Sequence, residues 1–235
     1  MLTCYAPDLA PDQPSYQLAE DESKHAVRVL RLGVGDPVAL VDGRGTRALA
    51  TIADANPKRC ALTIARREQP PRRPFYLHLA VAPTKNLDRM EWLVEKAVEV
   101  GVERLTFLRG ARSERRELKL ERLEKIAVSA LKQSGQLWLP QLDELLDFDK
   151  FVSTTDPAGT YVAHLEAGER TPLARALAGT TRACVLIGPE GDFSPAEITQ
   201  ALAHGIRPVT LGDSRLRTET AALAAVFTAQ VVGQL

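Results

Sequence analysis

The chain has 235 residues, 45% of them hydrophobic and 26% charged, with thirty basic side chains matched by thirty acidic ones. These fractions belong to a globular protein with enough chain to bury a substantial core in one or two domains, and they exclude disordered, collagen-like and disulfide-stapled chains. Three widely spaced cysteines (Cys4, Cys60, Cys184) and four scattered histidines (His25, His78, His164, His204) have neither metal-ligand nor redox-motif spacing, so no metal site is expected.

The opening residues Met1–Asp12 lack a basic segment followed by an apolar run, so no signal peptide is expected. Asp21 reads as the N-cap of a short helix over Glu22–Leu32, with Gly33 as its stop. Asp36–Val41, Arg47–Ala53 and Arg59–Ala65 read as short β-strands separated by Gly, Asp-Gly and Asn-Pro breaks. Pro70, Pro71 and Pro74 can extend neither a helix nor a central strand, which puts a domain boundary there: residues 1–70 form one domain and 75–235 the other. Beyond the boundary, strand and helix alternate. Strands are expected at Tyr76–Ala82, Leu105–Leu108, Thr160–His164, Val185–Ile187 and Pro208–Leu211, and helices at Leu87–Val100, Glu117–Ser134, Pro195–His204 and Thr218–Val232. In the first of these helices Met90, Leu93, Val94, Ala97 and Val98 fall on one face. Such alternation predicts an α/β domain with a parallel sheet. The apolar stretch Ala221–Gly233 is broken by Thr228 and Gln230 and is too short to span a bilayer; a cytoplasmic protein without membrane contact is expected.

Neutral overall charge conceals a gradient. Residues 1–70 are balanced, Arg72–Lys132 carries fourteen basic and nine acidic side chains, and the chain from Gln141 onward carries seven and twelve. This permits a polyanion to be held by part of the surface; solvated helix faces with i,i+4 pairs account for the basic segment equally well.

Open α/β sheets bind ligands at the carboxyl ends of their strands. Two such ends stand out. Val185–Ile187 runs into Gly188-Pro189-Glu190-Gly191-Asp192, and Val209–Leu211 runs into Gly212 and then Leu216-Arg217-Thr218-Glu219-Thr220 at the mouth of an alanine-rich helix. Gly188 and Gly191 allow sharp turns and close approach of backbone to a ligand, and Thr218 or Thr220 is available to cap the helix. Each junction alone is ordinary turn chemistry. Two of them at neighbouring strand ends suggest a ligand site, with no P-loop or GxGxxG turn competing.

The strings Ile187-Gly-Pro-Glu-Gly-Asp-Phe-Ser and Leu211-Gly-Asp-Ser-Arg-Leu-Arg-Thr-Glu-Thr-Ala closely resemble signatures of the RsmE family, bacterial 16S rRNA uridine N3-methyltransferases of the SPOUT class. The resemblance extends over nearly the whole chain. It includes His25–Arg31, Lys85, Arg89–Lys96, Glu99–Gly101, Arg112–Arg115 and Gln133–Gly135. It implies a PUA-like N-terminal β-barrel that binds RNA, a C-terminal trefoil-knotted SPOUT α/β domain, a homodimer, and S-adenosylmethionine as methyl donor. By this likeness the cofactor is cradled by Leu186, Ile187, Gly188, Pro189, Glu190 and Gly191, and by Leu211, Gly212, Leu216, Arg217 and Thr218. The resemblance likewise implies the 16S rRNA of the small ribosomal subunit as the partner.

Methylation at uracil N3 requires loss of a weakly acidic proton and stabilisation of the resulting anion. Arg217 is the candidate for holding that anion. Glu219 is the candidate base, or the group that orients Arg217. The alternative is that both residues only hold their loop. His25, Arg28 and Arg31, at i, i+3 and i+6, lie close to one helix face and are candidates for RNA contact, with Arg112, Arg115 and Arg116 extending a basic rim. Otherwise His25 packs on the barrel and the arginines are solvated. The chain departs from the family pattern at Asp192, where a glycine is common, at Lys132, where an acid is common, and at Gln136, where an arginine is common. Two other functions fit the same features: a knotted methyltransferase with a different RNA target, and a non-catalytic RNA-binding assembly protein.

Overall fold

The structure is a computed structural model and describes residues 1–234. The chain divides into two compact units: Met1–Arg72 with Val128–Leu139, and Arg73–Ala127 with the chain from Pro140 onward. The second stretch of the first unit lies far from the proline-rich boundary in sequence, so a linear split at residues 70–75 leaves it out.

The first unit contains strands β1 (Leu2–Tyr5) and β2 (Ser15–Gln17), helix α1 (Glu20–Lys24), and strands β3 (Pro37–Val41), β4 (Arg47–Asp54) and β5 (Ala61–Glu68). They form one curled sheet in the order β1-β3-β4-β5-β2, with β1 parallel to β3 and every other pair antiparallel. Alternation along β4 sends Ala48, Ala50 and Ile52 into a core shared with Cys4, Leu40 and Leu62. Residues 135–139 add to this unit through Leu139 N–H to Gly43 O at 2.9 Å and Gly45 N–H to Leu137 O at 2.9 Å. Lys132 forms a part-buried ion pair with Glu22 at 2.5 Å.

The helix expected over Glu22–Leu32 is different in detail. It begins at Glu20, with Ala19 and not Asp21 at the cap position, and from His25 to Val29 it winds as a π-helix. Arg31 lies beyond it with φ +58°. The i, i+3, i+6 stripe assumed 3.6 residues per turn, so a wider turn and a left-handed exit do not keep His25, Arg28 and Arg31 on one α-helical face. All three side chains are nevertheless exposed, His25 included.

The second unit contains β6 (Tyr76–Val81), α2 (Leu87–Val100), β7 (Arg104–Arg109), the start of α3 (Leu120–Ser134), β8 (Gln141–Asp147), α4 (Phe148–Thr154), β9 (Thr160–Ala163), β10 (Thr171–Pro172), α5 (Leu173–Leu177), β11 (Arg182–Ile187), α6 (Pro195–Ala203), β12 (Arg207–Thr210) and α7 (Thr218–Val232). The seven strands are all parallel, in the order β10-β12-β9-β11-β6-β7-β8. β8, α4, β10 and α5 are absent from the sequence expectation. β8 reads Gln-Leu-Asp-Glu-Leu-Leu-Asp, an acidic edge strand whose apolar spacing does not alternate. In α2 the expected apolar face is the buried one, and Asn86 caps the helix by accepting from Asp88 N–H at 2.9 Å. α2 packs against α7, and α7 packs on β6 and β11. On the opposite face, Phe148 and Phe151 of α4 and Ile198 of α6 join Leu186, Cys184 and Val162 in a second core. Cys184 is buried there, its thiol pushed up to about 12 by desolvation. Among the described residues no helix is long and apolar enough to cross a membrane, and no cluster of metal-ligating side chains occurs.

Candidate active site

Because every strand of the second sheet runs the same way, the carboxyl ends of β9, β11 and β12 lie at one edge. A cavity of about 220 Å³ opens there, lined by residues 163–165, 187–192, 209–212 and 214–218, and by Ala221. The two glycine loops expected at neighbouring strand ends are not neighbours. β9 lies between β11 and β12, and its end, Ala163-His164-Leu165, forms a third wall. The sequence spacing holds no signal for that wall, because strand order is set by crossovers and not by local pattern.

The loop after β11 is held in place by its own backbone and by side chains from elsewhere in the unit. A Cβ on Gly188 would lie 2.9 Å from the Phe193 nitrogen, so only glycine lets the loop fold back on itself. Asp192 has φ +70°, a region that aspartate tolerates better than most residues. Its carboxylate accepts from Leu165 N–H at 2.6 Å and Phe193 N–H at 2.8 Å, tying the β11 loop to the β9 end. An acid at this departure from the family pattern is therefore a structural anchor, occupied by main-chain donors. Ser194 and Glu197 form a reciprocal capping box that starts α6, and Glu197 also accepts from Ala111 N–H at 2.8 Å.

Arg112 and Arg115 are engaged within the unit. Arg112 donates to Gly191 O at 2.6 Å and Phe193 O at 3.3 Å, and Arg115 donates to Lys85 O at 2.6 Å and Thr84 O at 3.3 Å. Their guanidinium groups thus hold loop carbonyls, which a basic rim for RNA would not require.

The loop after β12 turns at Gly212, whose φ of +125° is open to glycine alone. Neither Thr218 nor Thr220 caps α7; Arg217 occupies the cap position without a side-chain cap bond. Thr218 instead donates from Oγ1 to Gly188 O at 3.1 Å, joining the two glycine loops. Arg89 of α2 bridges them a second time, with Nη1 3.1 Å from Glu190 Oε1 and Nε 3.6 Å from Glu219 Oε1. Glu219 therefore pairs with Arg89 and not with Arg217. Its Oε2 is buried and without a partner. Arg217 is exposed at the cavity wall, and its guanidinium makes no hydrogen bond or ion pair among the described residues; only its carbonyl is engaged, accepting from Ala221 N–H at 2.8 Å. Of the residues expected to cradle a ligand, all but Leu186 line the cavity; strand alternation turns Leu186 into the α4–α6 core. Spacing does not mark Arg89, because Glu190 and Glu219 are distant from it in sequence, nor His164, because the place of β9 between β11 and β12 is set by crossovers.

A parallel sheet with a cleft at the carboxyl ends of three strands, walled by two glycine bends and the β9 end, defines an α/β protein with its candidate ligand site at that edge. A family model described as an RNA methyltransferase domain matches residues 71–230, and a second, described as an RNA methyltransferase PUA domain, matches residues 18–65. The chain belongs to the RsmE family, the ribosomal RNA small subunit methyltransferase E proteins. It is 30% identical to the member from Mycobacterium bovis over 93% of this chain and 87% of that one. Among solved structures it is similar to a probable rRNA-methyltransferase from Porphyromonas gingivalis, with a TM-score of 0.92 and 38% identity, covering 100% of this chain and 99% of that one. It is also similar to the ribosomal RNA small subunit methyltransferase E of Neisseria gonorrhoeae bound to S-adenosyl methionine, with a TM-score of 0.89 and 26% identity over 99% and 98% of the chains.

Proposed function

We propose that this chain transfers a methyl group from S-adenosylmethionine to N3 of a uridine in the 16S rRNA of the small ribosomal subunit. The observation that carries the reading is the cavity at the ends of β9, β11 and β12, whose donor set suits that cofactor. Apolar Ala163, Leu165, Ile187, Pro189, Leu211 and Leu216 line it beside the two glycine bends, together with the buried, unpartnered His164 ring; the unpartnered Glu219 Oε2 is buried one residue beyond the lining Thr218. The main chain of residues 187–191, 211–212 and 216–218 would hold the cofactor, which when bound supplies an electrophilic methyl on a sulfonium.

The chain's own part is to prepare the uracil. Arg217, a cation with no competing partner, stabilises the negative charge that develops on uracil O2 and O4 as N3 loses its proton. Glu219 Oε2, unpartnered beside the same loop, accepts that proton, and Arg89 keeps the carboxylate oriented through Oε1. Positioning N3 against the cavity supplies the remainder.

The finer architecture follows the family. The curled sheet of the first unit closes as a PUA-like barrel, and the two glycine loops tie the trefoil knot of the SPOUT class. The contacts that support the knot are Thr218 to Gly188 and Arg89 to both loops. The domains run from 1 to 70 for RNA binding and from 75 to 235 for methyl transfer, with Val128–Leu139 packed into the former. Exposed His25, Arg28 and Arg31 contact RNA phosphates, with the free edges of Arg112 and Arg115 as lesser contributors. The protein works in the cytoplasm as a homodimer, supported by Trp92, Phe227 and Val231, which are large, apolar and exposed on α2 and α7.

The test is incubation with S-adenosylmethionine and undermethylated small-subunit rRNA, followed by nucleoside analysis. The expected product is N3-methyluridine at one position. Arg217→Ala should remove the product while cofactor affinity stays within about threefold. A methylated ribose, or no methylation with cofactor bound, would refute the assignment.

A further inference from the structure

The end of β9 carries a side chain that the mechanism above leaves unused. His164 is 8% exposed and lines the cavity, yet neither Nδ1 nor Nε2 has a hydrogen-bond partner. A neutral imidazole has one N–H donor and one lone-pair acceptor, and leaving them unmet in a buried place opposes folding. The polar groups around it do not relieve it. Asp192 is occupied by Leu165 N–H and Phe193 N–H, and Arg170 donates to the carbonyl of His164 and not to its ring.

The ring's environment also selects its charge. Burial holds the His164 pKa below the ordinary imidazole value, with Arg170 adding to the effect and Asp192 and Glu166 opposing it. At neutral pH the ring is uncharged. An uncharged ring is a poor partner for a carboxylate and a good one for a hydroxyl or a heterocycle edge, which offer both donors and acceptors. Its chain neighbours agree: Ala163 and the 52%-exposed Leu165 line the same cavity and are apolar, as a purine requires and a zwitterionic amino acid does not. Both ring nitrogens are shielded from bulk solvent, and the broad χ2 torsion of histidine lets a small rotation present either to a ligand.

We infer that His164 is a cofactor-binding residue that hydrogen-bonds the nucleoside half of S-adenosylmethionine, its ribose hydroxyls or adenine edge, and not the methionyl half. This rests on the reading of the cavity as the S-adenosylmethionine site. It assigns to the β9 end a recognition role that the two glycine loops, built mainly from backbone, do not supply.

The experiment is calorimetry on the full chain with S-adenosylhomocysteine and with 5′-methylthioadenosine, which keeps the nucleoside and lacks the amino acid. His164→Phe should weaken both ligands by a similar factor, about tenfold or more, while His164→Asn, which keeps a donor and an acceptor, stays within about threefold. Ligand-free His164→Phe should melt no lower than the unaltered protein, because an orphaned polar group has been replaced by an apolar one, and its ligand-induced rise in melting temperature should shrink. If phenylalanine is not accommodated, seen as a lower melting temperature, His164→Leu provides the same comparison. Unchanged affinity for both ligands, or a loss confined to S-adenosylhomocysteine, overturns the inference. Failure of the unaltered protein to bind S-adenosylhomocysteine overturns the cavity reading first, and this inference with it.

Discussion

His78, third in β6, shows how much of a side chain's chemistry is decided by a few ångströms of surroundings. Its Nε2 lies 2.7 Å from Thr106 Oγ1, and the Thr106 hydroxyl donates to Asp143. The hydroxyl's one proton is therefore spent, so the imidazole must carry its own proton on Nε2. Burial first, and then the nearby Arg104, pull the ring's pKa from 6.5 down to about 4. Above 6.5 the ring is neutral in folded and unfolded chains alike. Between 6.5 and 4 the unfolded chain gains a proton that the folded one refuses, so stability falls as pH drops through that window. At roughly 1.4 kcal/mol per pKa unit the loss is on the order of 3 kcal/mol at its fullest. His78→Gln, neutral at every pH, should show a shallower decline of melting temperature between pH 6.5 and 4 than the unaltered protein; parallel declines would remove His78 as the cause. Asp192 makes the same point without titration. Its sequence position marks it as an odd acid near a cationic ligand, and the structure turns it into an anchor for Leu165 and Phe193.

At the scale of elements, the loops that wall the cavity depend on backbone more than on side chains. Gly188 is the clearest case. Alanine there would bring Cβ to 2.9 Å from Phe193 N and 3.2 Å from Asp192 C, and main-chain atoms give way less readily than side-chain ends. Gly188→Ala should cost about 1–3 kcal/mol of stability, read as a lower melting temperature, and should weaken S-adenosylhomocysteine binding as the loop is displaced. An unaltered melting temperature and affinity would mean that the loop yields freely. Elements also mark where local sequence is and is not informative. α2 is legible because Met90, Leu93, Val94, Ala97 and Val98 repeat at the helical period and Asn86 supplies a cap. β8 is not, because an edge strand of acids and leucines carries no period-two pattern. The π-turn at His25–Val29 is likewise hidden, since an extra residue per turn leaves no compositional mark.

For the whole molecule, the unsolved surface is the apolar one. Trp92 at 45% exposure, Phe227 at 53% and Val231 at 59% sit on α2 and α7, two helices packed against each other on one face of the sheet. A second copy of the chain is the proposed cover. Phe227→Asp should convert the proposed dimer to a monomer in sedimentation equilibrium, because a carboxylate buried without a partner opposes association strongly. An unchanged mass would place the interface elsewhere.

Local sequence was enough to determine the alternation of strand and helix, the glycine bends at Gly188 and Gly212, and the motif strings that identify the family, since each of these is written in contiguous residues. Tertiary structure alone decided that β9 lies between β11 and β12, that His164 joins the cavity, that Arg89 bridges the two glycine loops, and that Glu219 pairs with Arg89 instead of Arg217. The division has a physical cause. Turn geometry and helical period depend on neighbours a few residues away, whereas strand order and ion-pair choice depend on how crossovers pack on a shared sheet, and those contacts join residues as far apart as Arg89 and Glu219.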